Sequence, residues 1–213
     1  MLFRSTRAAA ITGLALLLGA CTISSEKPLL EASEGAAPLP DAFTFYPYQK
    51  GDDGYVRTTD APAHFERHDN VYSATDLPDV KGNFDVRFVP EGDDYLMEAS
   101  GPHADSAIYG FAHFSDGVLT LSLTPDKDTA AAIDRERHGS MPITRKALAG
   151  LSISGETSSI TLTSRASLDY LAGMYAAGHL PMGTISVAYL SEDPDIPPPS
   201  RLVQAGDHWI KVP

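Results

Sequence analysis

Two histidines four residues apart, in His64-Phe65-Glu66-Arg67-His68, come nearest in this chain to the pattern of a metal site. On a helix the two imidazoles would share a face one turn apart and could meet one ion. On a strand they would share a face about 13 Å apart, at roughly 3.3 Å per residue, too far for a single metal. Pro62 and Asn70 leave little room for a helix, so the spacing predicts exposed histidines. The order also differs from the His-Glu-x-x-His of zinc hydrolases. His103-Ala104-Asp105-Ser106 gathers the three residue types of a hydrolytic triad, but triads assemble across a fold and not within one turn. Gly150-Leu151-Ser152-Ile153-Ser154-Gly155 has the wrong spacing for a nucleophile elbow. Asp52-Asp53 and Asp93-Asp94 offer oxygen ligands suited to calcium. Neither follows EF-hand spacing, and tight turns select Asp and Gly anyway. On a strand His113 shares a face with Tyr109 and Phe111, where it could line a pocket, although a satisfied core histidine is the simpler expectation. These residues assign no catalytic group, metal ligand or cofactor, and no enzyme is expected from them.

The remaining candidate is the thiol of Cys21, the sole cysteine of the chain. It ends a stretch of small and apolar residues that begins at Ala8 and is broken by Thr12, behind a start that carries Arg4 and Arg7 and no acid. A basic start, a short apolar middle and small residues before a cut describe a secretory signal. The stretch falls short of the about 20 apolar residues that span a bilayer. The separated arginines point to the general secretory route. Leu18-Gly19-Ala20-Cys21 resembles the lipobox of bacterial lipoproteins. The resemblance implies a diacylglyceryl group on the Cys21 sulfur, cleavage between Ala20 and Cys21, and acylation of the new amino group by a palmitate-type chain. The sulfur would then be a thioether, closed to disulfide, metal or nucleophilic chemistry. One acyl chain holds a protein only marginally, at about 0.8 kcal/mol per buried methylene, whereas two suffice for stable anchoring. Thr22, and not Asp, follows the cysteine, which implies sorting to the outer membrane.

On this reading residues 1–20 are a signal peptide, 21–41 a flexible tether and 42–213 a single β-rich domain. The tether segment is rich in Ser, Ala, Glu and Pro and has no sustained period. Cleavage leaves 14 Lys and Arg against 28 Asp and Glu, a net charge of −14 with neutral histidines. That balance disfavours nucleic acid and anionic lipid surfaces, which attract basic patches. The acids are dispersed, as solubility requires, and stability must come from packing and hydrogen bonds.

The elements that position these groups read mainly as strands. Phe84-Asp85-Val86-Arg87-Phe88 alternates apolar and charged residues, and Pro90–Asp94 turns it into Tyr95–Ser100. Tyr109–Phe114 leads through Ser115-Asp116-Gly117, with its Asp-Gly turn pair, into Val118–Thr124, where Leu119, Leu121 and Leu123 share a face. These four strands predict an antiparallel meander. Weaker strands are expected at Phe43–Tyr46, Tyr55–Thr58, Phe65–Arg67 and Val71–Ser73. A helix is expected over Asp126–Arg137, strands at Ile153 and Ser159–Thr163, and a firmer helix near 165–178. Ser164 would cap that helix, Gly178 would stop it, and Leu168, Leu171, Met174 and Tyr175 would form its apolar stripe. Thr184–Leu190 and His208–Val212 read as strands, with a Pro-rich loop over Asp193–Ser200. The expected fold class is α+β, mainly antiparallel β: a meander, curled sheet or sandwich with the helix near 165–178 packed on it.

Two functional classes follow. The first is a non-enzymatic, lipid-anchored envelope protein, facing the periplasm or the cell surface, held to the membrane through Cys21 and contacting another envelope protein. The second is a module that encloses a small apolar ligand or lipid in a lipocalin-like barrel. The N-terminal Gly-x-Trp of lipocalins is missing, and the only tryptophan is Trp209. An enzyme would require His64, His103, His113 or His208 to converge with a carboxylate in a cleft.

Overall fold

The computed structural model describes residues 22–31, 33–58, 62–74, 83–101, 106–126, 128–139, 142–154, 159–183 and 186–213. Its centre is a closed antiparallel barrel of eight strands. In chain order these are β2 (Ala42–Gly51), β4 (Ala63–His68), β5 (Val71–Ala74), β6 (Phe84–Glu91), β7 (Asp94–Ser100), β8 (Ala107–Ser115), β9 (Val118–Ser122) and β14 (Ser186–Ser191). Each strand of this series pairs with the one after it. The ring closes where β14 lies between β9 and β2, with Val187 opposite both Thr120 and Tyr48.

The expected meander is present as β6–β9 and forms half of the barrel wall. Its alternation sends Val86, Phe88, Met97, Ala99, Ala112, Leu119 and Leu121 inward. The weaker candidates are strands β2, β4, β5 and β3 (Gly54–Arg57). The turns carry the backbone that tight hairpins require: Asp116 and Gly117, between β8 and β9, both have positive φ, at 55° and 73°.

Two long strands serve more than the barrel. The first residues of β8 pair with β1 (Ile23–Ser25), and its later ones with β9. Parallel to β1 runs β12 (Ile160–Leu162), and β11 (Leu151–Ile153) completes a three-stranded shelf. At the changeover, a Cβ on Gly110 would collide with the side chain of Leu123 and lie 2.9 Å from the Ser122 carbonyl. The far half of β2 pairs with β3, which carries β15 (Arg201–Ala205) and β16 (His208–Val212) as a flap. A two-stranded ribbon joins β10 (Thr124–Pro125) to β13 (Met182–Gly183).

Helices α1 (Thr129–Gly139), α2 (Pro142–Ala149) and α3 (Arg165–Ala176) lie between β9 and β14 in sequence. The expected firm helix is α3. The Ser164 side chain accepts a hydrogen bond from the Ser167 nitrogen, and Gly178, at φ 70°, ends the run. Leu168, Leu171 and Met174 are buried with Ile133 and Leu148 against Leu96, Tyr109, Phe111 and the shelf. The flap packs Tyr55, Leu202 and Trp209 on the opposite outer wall, against Tyr48, Val118 and Val187. The barrel is thus wrapped on two sides.

The expected flexible tether over 21–41 is corrected. Within it, Ile23, Leu30 and Leu39 are buried to 5% exposure or less, and Ala36 bridges Phe88. Sparse apolar residues made the segment read as linker, but each of these three fills a place in one of the two larger cores. The curled sheet or sandwich of the sequence reading is, more specifically, a barrel, closed by a pairing between strands about 140 residues apart in sequence, a contact that local periodicity does not encode.

Candidate functional site

The lipobox residues Leu18, Gly19, Ala20 and Cys21 lie outside the described residues, and the description begins one residue later. The Thr22 carbonyl accepts a hydrogen bond from the Ile160 nitrogen at 2.8 Å. Ile23 then faces Ile160 on one side and Tyr109 on the other, so β1 is an interior strand. Just beyond it, a buried ionic clamp grips the chain. Glu98 Oε2 accepts hydrogen bonds from the Leu29 nitrogen (2.8 Å), the Leu30 nitrogen (3.0 Å) and the Tyr109 hydroxyl (3.0 Å). Its Oε1 meets Arg87 Nη1 at 3.1 Å. The Tyr109 hydroxyl lies 2.9 Å from Ser25 Oγ.

Glu98 is 1% exposed, and a buried charge at that depth is tolerated only when paired and fully hydrogen-bonded. Both of its oxygens are engaged. Burial pushes the Tyr109 phenol well above its ordinary range, and the neighbouring Glu98 carboxylate adds to the shift. The cluster binds the first ten residues of the described chain to the barrel wall and leaves no oxygen open to a ligand. Sequence reasoning passed over it. The available signal was an acid, Glu98, set among Leu96, Met97 and Ala99 in the Tyr95–Ser100 strand.

Among the described residues the histidines named above do not converge. His64 sits on β4 with its Nδ1 2.9 Å from Thr44 Oγ1, and His68 is exposed at the end of the same strand, as the strand reading required. His113 is half exposed, contrary to the core expectation, because it stands on the outer wall of β8, where its Nδ1 meets Asp94 Oδ1 at 2.7 Å. The Tyr175 hydroxyl donates to the other Asp94 oxygen at 2.7 Å, and the Tyr175 ring stacks on Phe111 at 3.6 Å. His208 lies 3.3 Å from Asp116, which also accepts from the Trp209 nitrogen at 3.0 Å. Ser115 Oγ lies 3.3 Å from the same carboxylate. Serine, aspartate and histidine therefore meet here, but the serine approaches the acid and not the imidazole, which is not the order of a triad. His103 and Asp105 lie outside the described residues. Asp52 and Asp53 occupy the β2–β3 turn, and Asp93 the β6–β7 turn. Among the described residues no three His, Cys, Asp or Glu side chains gather as a metal site would need.

All eight barrel strands send side chains into one buried interior cluster. Phe45, Phe65, Phe43, Tyr72, Phe88 and Tyr95 form a continuous series of ring contacts, with centroids 5.3 to 6.4 Å apart. The outer face of β4–β6 carries His64, Glu66, Asp85 and Arg87, on positions alternate to the buried ones. A membrane-spanning barrel has the opposite polarity, apolar outside and polar within. Among the described residues no helix is long and apolar enough to cross a membrane.

A shallow depression of about 270 Å³ opens between α1 and α3, lined by Glu136, Asp169, Tyr170, Gly173, Met174 and His179 among others. The Tyr170 hydroxyl is buried there without a hydrogen-bond partner among the described residues. No family model, no curated protein and no solved structure matches this chain.

Proposed function

We infer that this chain is a lipid-anchored bacterial envelope protein, acylated at Cys21 and sorted to the outer membrane. Its barrel would serve as a non-enzymatic body that contacts another envelope protein. The observation that carries this reading is a junction: cleavage before Cys21 would remove the signal and leave β1 intact from Ile23 onward. The filled interior supports a structural or interaction role over transport, since an eight-stranded barrel either packs itself with side chains or holds one small ligand.

Mass spectrometry of the mature N-terminus tests the anchor. The expected product begins at Cys21 with acyl mass added, and a Cys21→Ser chain stays unacylated and keeps its signal. A native chain that begins at Met1 or bears a free thiol would overturn the reading. Crosslinking in intact cells tests the partner, and recovery of no stable neighbour would count against that half.

One observation favours the lipocalin-like alternative. Phe45 and Ala63, paired across β2 and β4, and Phe84, at the start of β6, are only partly buried and leave apolar surface at the barrel. Thermal stabilisation of the purified body by a fatty acid at stoichiometric concentration would promote that function. An unchanged unfolding temperature would retire it.

A further inference from the structure

We propose that the shelf formed by β1, β12 and β11 rests directly on the bilayer that holds Cys21. This rests on the lipid anchor and goes further, by naming the face of the body that meets the membrane. A free tether of 20 residues would let the body range roughly 25 Å, at 5–6 Å times the square root of its length. Here there is no such tether. Consecutive α-carbons are about 3.8 Å apart, and Thr22 is already hydrogen-bonded to Ile160, one step before β1 is locked between two strands. The Glu98 clamp on Leu29 and Leu30 prevents the segment from peeling away to provide slack.

The chemistry of the shelf suits that contact. One face, with Ile23, Ile160, Leu162 and Leu151, is buried under the helices. The other sets Ser152, Thr161 and Ser24 side by side on three adjacent strands, none of them buried. Residues 22–25, 151–154 and 159–164 contain no charged side chain, and nine of these fourteen are Ser or Thr. In a body with twice as many acids as bases, this is a hydroxyl-rich face that meets headgroups without the like-charge repulsion an acidic face would suffer. The one charge in sequence between Leu151 and Ser164 is Glu156, outside the described residues.

The test uses the full acylated chain in vesicles of phosphatidylcholine and phosphatidylglycerol that carry a headgroup-level quencher. The acylated sulfur leaves no native thiol, so Ser152→Cys and Asp207→Cys each give a single labelling position. They lie on or beside strands at opposite ends of the sheet path. The expected result is several-fold stronger quenching at 152 than at 207, and loss of that difference when 15 Gly and Ser residues are inserted between Cys21 and Thr22. Equal quenching at both positions in a chain shown by mass to be acylated overturns the proposal alone. A chain found unacylated overturns the anchor, and this inference with it.

Discussion

The Tyr72 hydroxyl and the Leu39 backbone hold each other reciprocally: the hydroxyl accepts from the Leu39 nitrogen at 3.0 Å and donates to its carbonyl at 2.7 Å. Tyr72 is fully buried in the barrel interior. Through this contact the N-terminal segment, after running along the outer wall at Leu30, enters the inner core at Leu39.

Removing the hydroxyl leaves two buried backbone groups unpaired. Tyr72→Phe is expected to cost about 1–3 kcal/mol, the range for stranding buried polar groups. Urea unfolding monitored by circular dichroism checks this, and an unchanged midpoint would show that water replaces the lost contacts.

The clamp at Glu98 should matter more. Glu98→Gln keeps the shape but leaves the Arg87 guanidinium without its counter-charge, and breaking a buried pair costs about 3–5 kcal/mol. The loss should be accompanied by faster hydrogen exchange at the Leu29 and Leu30 amides, which donate to this carboxylate. Exchange unchanged at both amides would refute the assignment of Glu98 as the anchor of that segment.

Within the barrel, Phe65 stacks on Phe43 and meets Phe45 edge-on. Phe65→Ala is expected to destabilise by about 3–5 kcal/mol, the transfer and cavity terms together. An apolar void of that kind stays dry and accepts a small aromatic such as benzene. Benzene should therefore raise the melting temperature of the variant and leave the native chain unaffected. A native response would reveal space in the interior that these contacts deny.

Alkaline pH should unfold the protein earlier than its acidic composition alone would suggest. Burial raises the phenols of Tyr48, to about 12, and of Tyr72, Tyr109, Tyr170 and Tyr175 above the ordinary value of 10.0. Below about 10 these groups are protonated in both states, and their contribution is fully present. As pH rises beyond that value, the unfolded chain releases its protons first, and stability falls until the folded values are passed. Ultraviolet titration of phenolate should show these tyrosines ionising only together with unfolding. Smooth titration of all nine tyrosines near 10 in a folded chain would contradict the burial.

What could be read from the residues was whatever is decided over a few positions. Strand β16 is expected at His208–Val212 and lies there, because Trp209, Ile210 and Val212, aromatic and β-branched, follow directly on the Gly206-Asp207 turn. Ser164 and Gly178 bracket α3 for equally local reasons. Three-residue β1 was missed: Ile23-Ser24-Ser25 has no pattern of its own and becomes a strand only through partners at 107–109 and 160–162. What the sequence could offer as a site divides in the same way. A lipobox is a contiguous signature, whereas Glu98 gains its role from Leu29, Leu30, Arg87 and Tyr109, gathered from three parts of the chain. Strand β15 and helix α2 were likewise passed over, β15 behind a Pro-rich stretch and α2 with only eight residues.

The last stave of the barrel, β14, follows β9 only after 63 intervening residues that carry all three described helices. A polypeptide delivered N-terminus first, from a ribosome or a translocation pore, therefore holds seven staves open with a hydrophobic bore until nearly nine-tenths of its length has emerged. Such late, long-range closure makes for slow maturation, and the half-built cask is the species most in need of a chaperone during its passage.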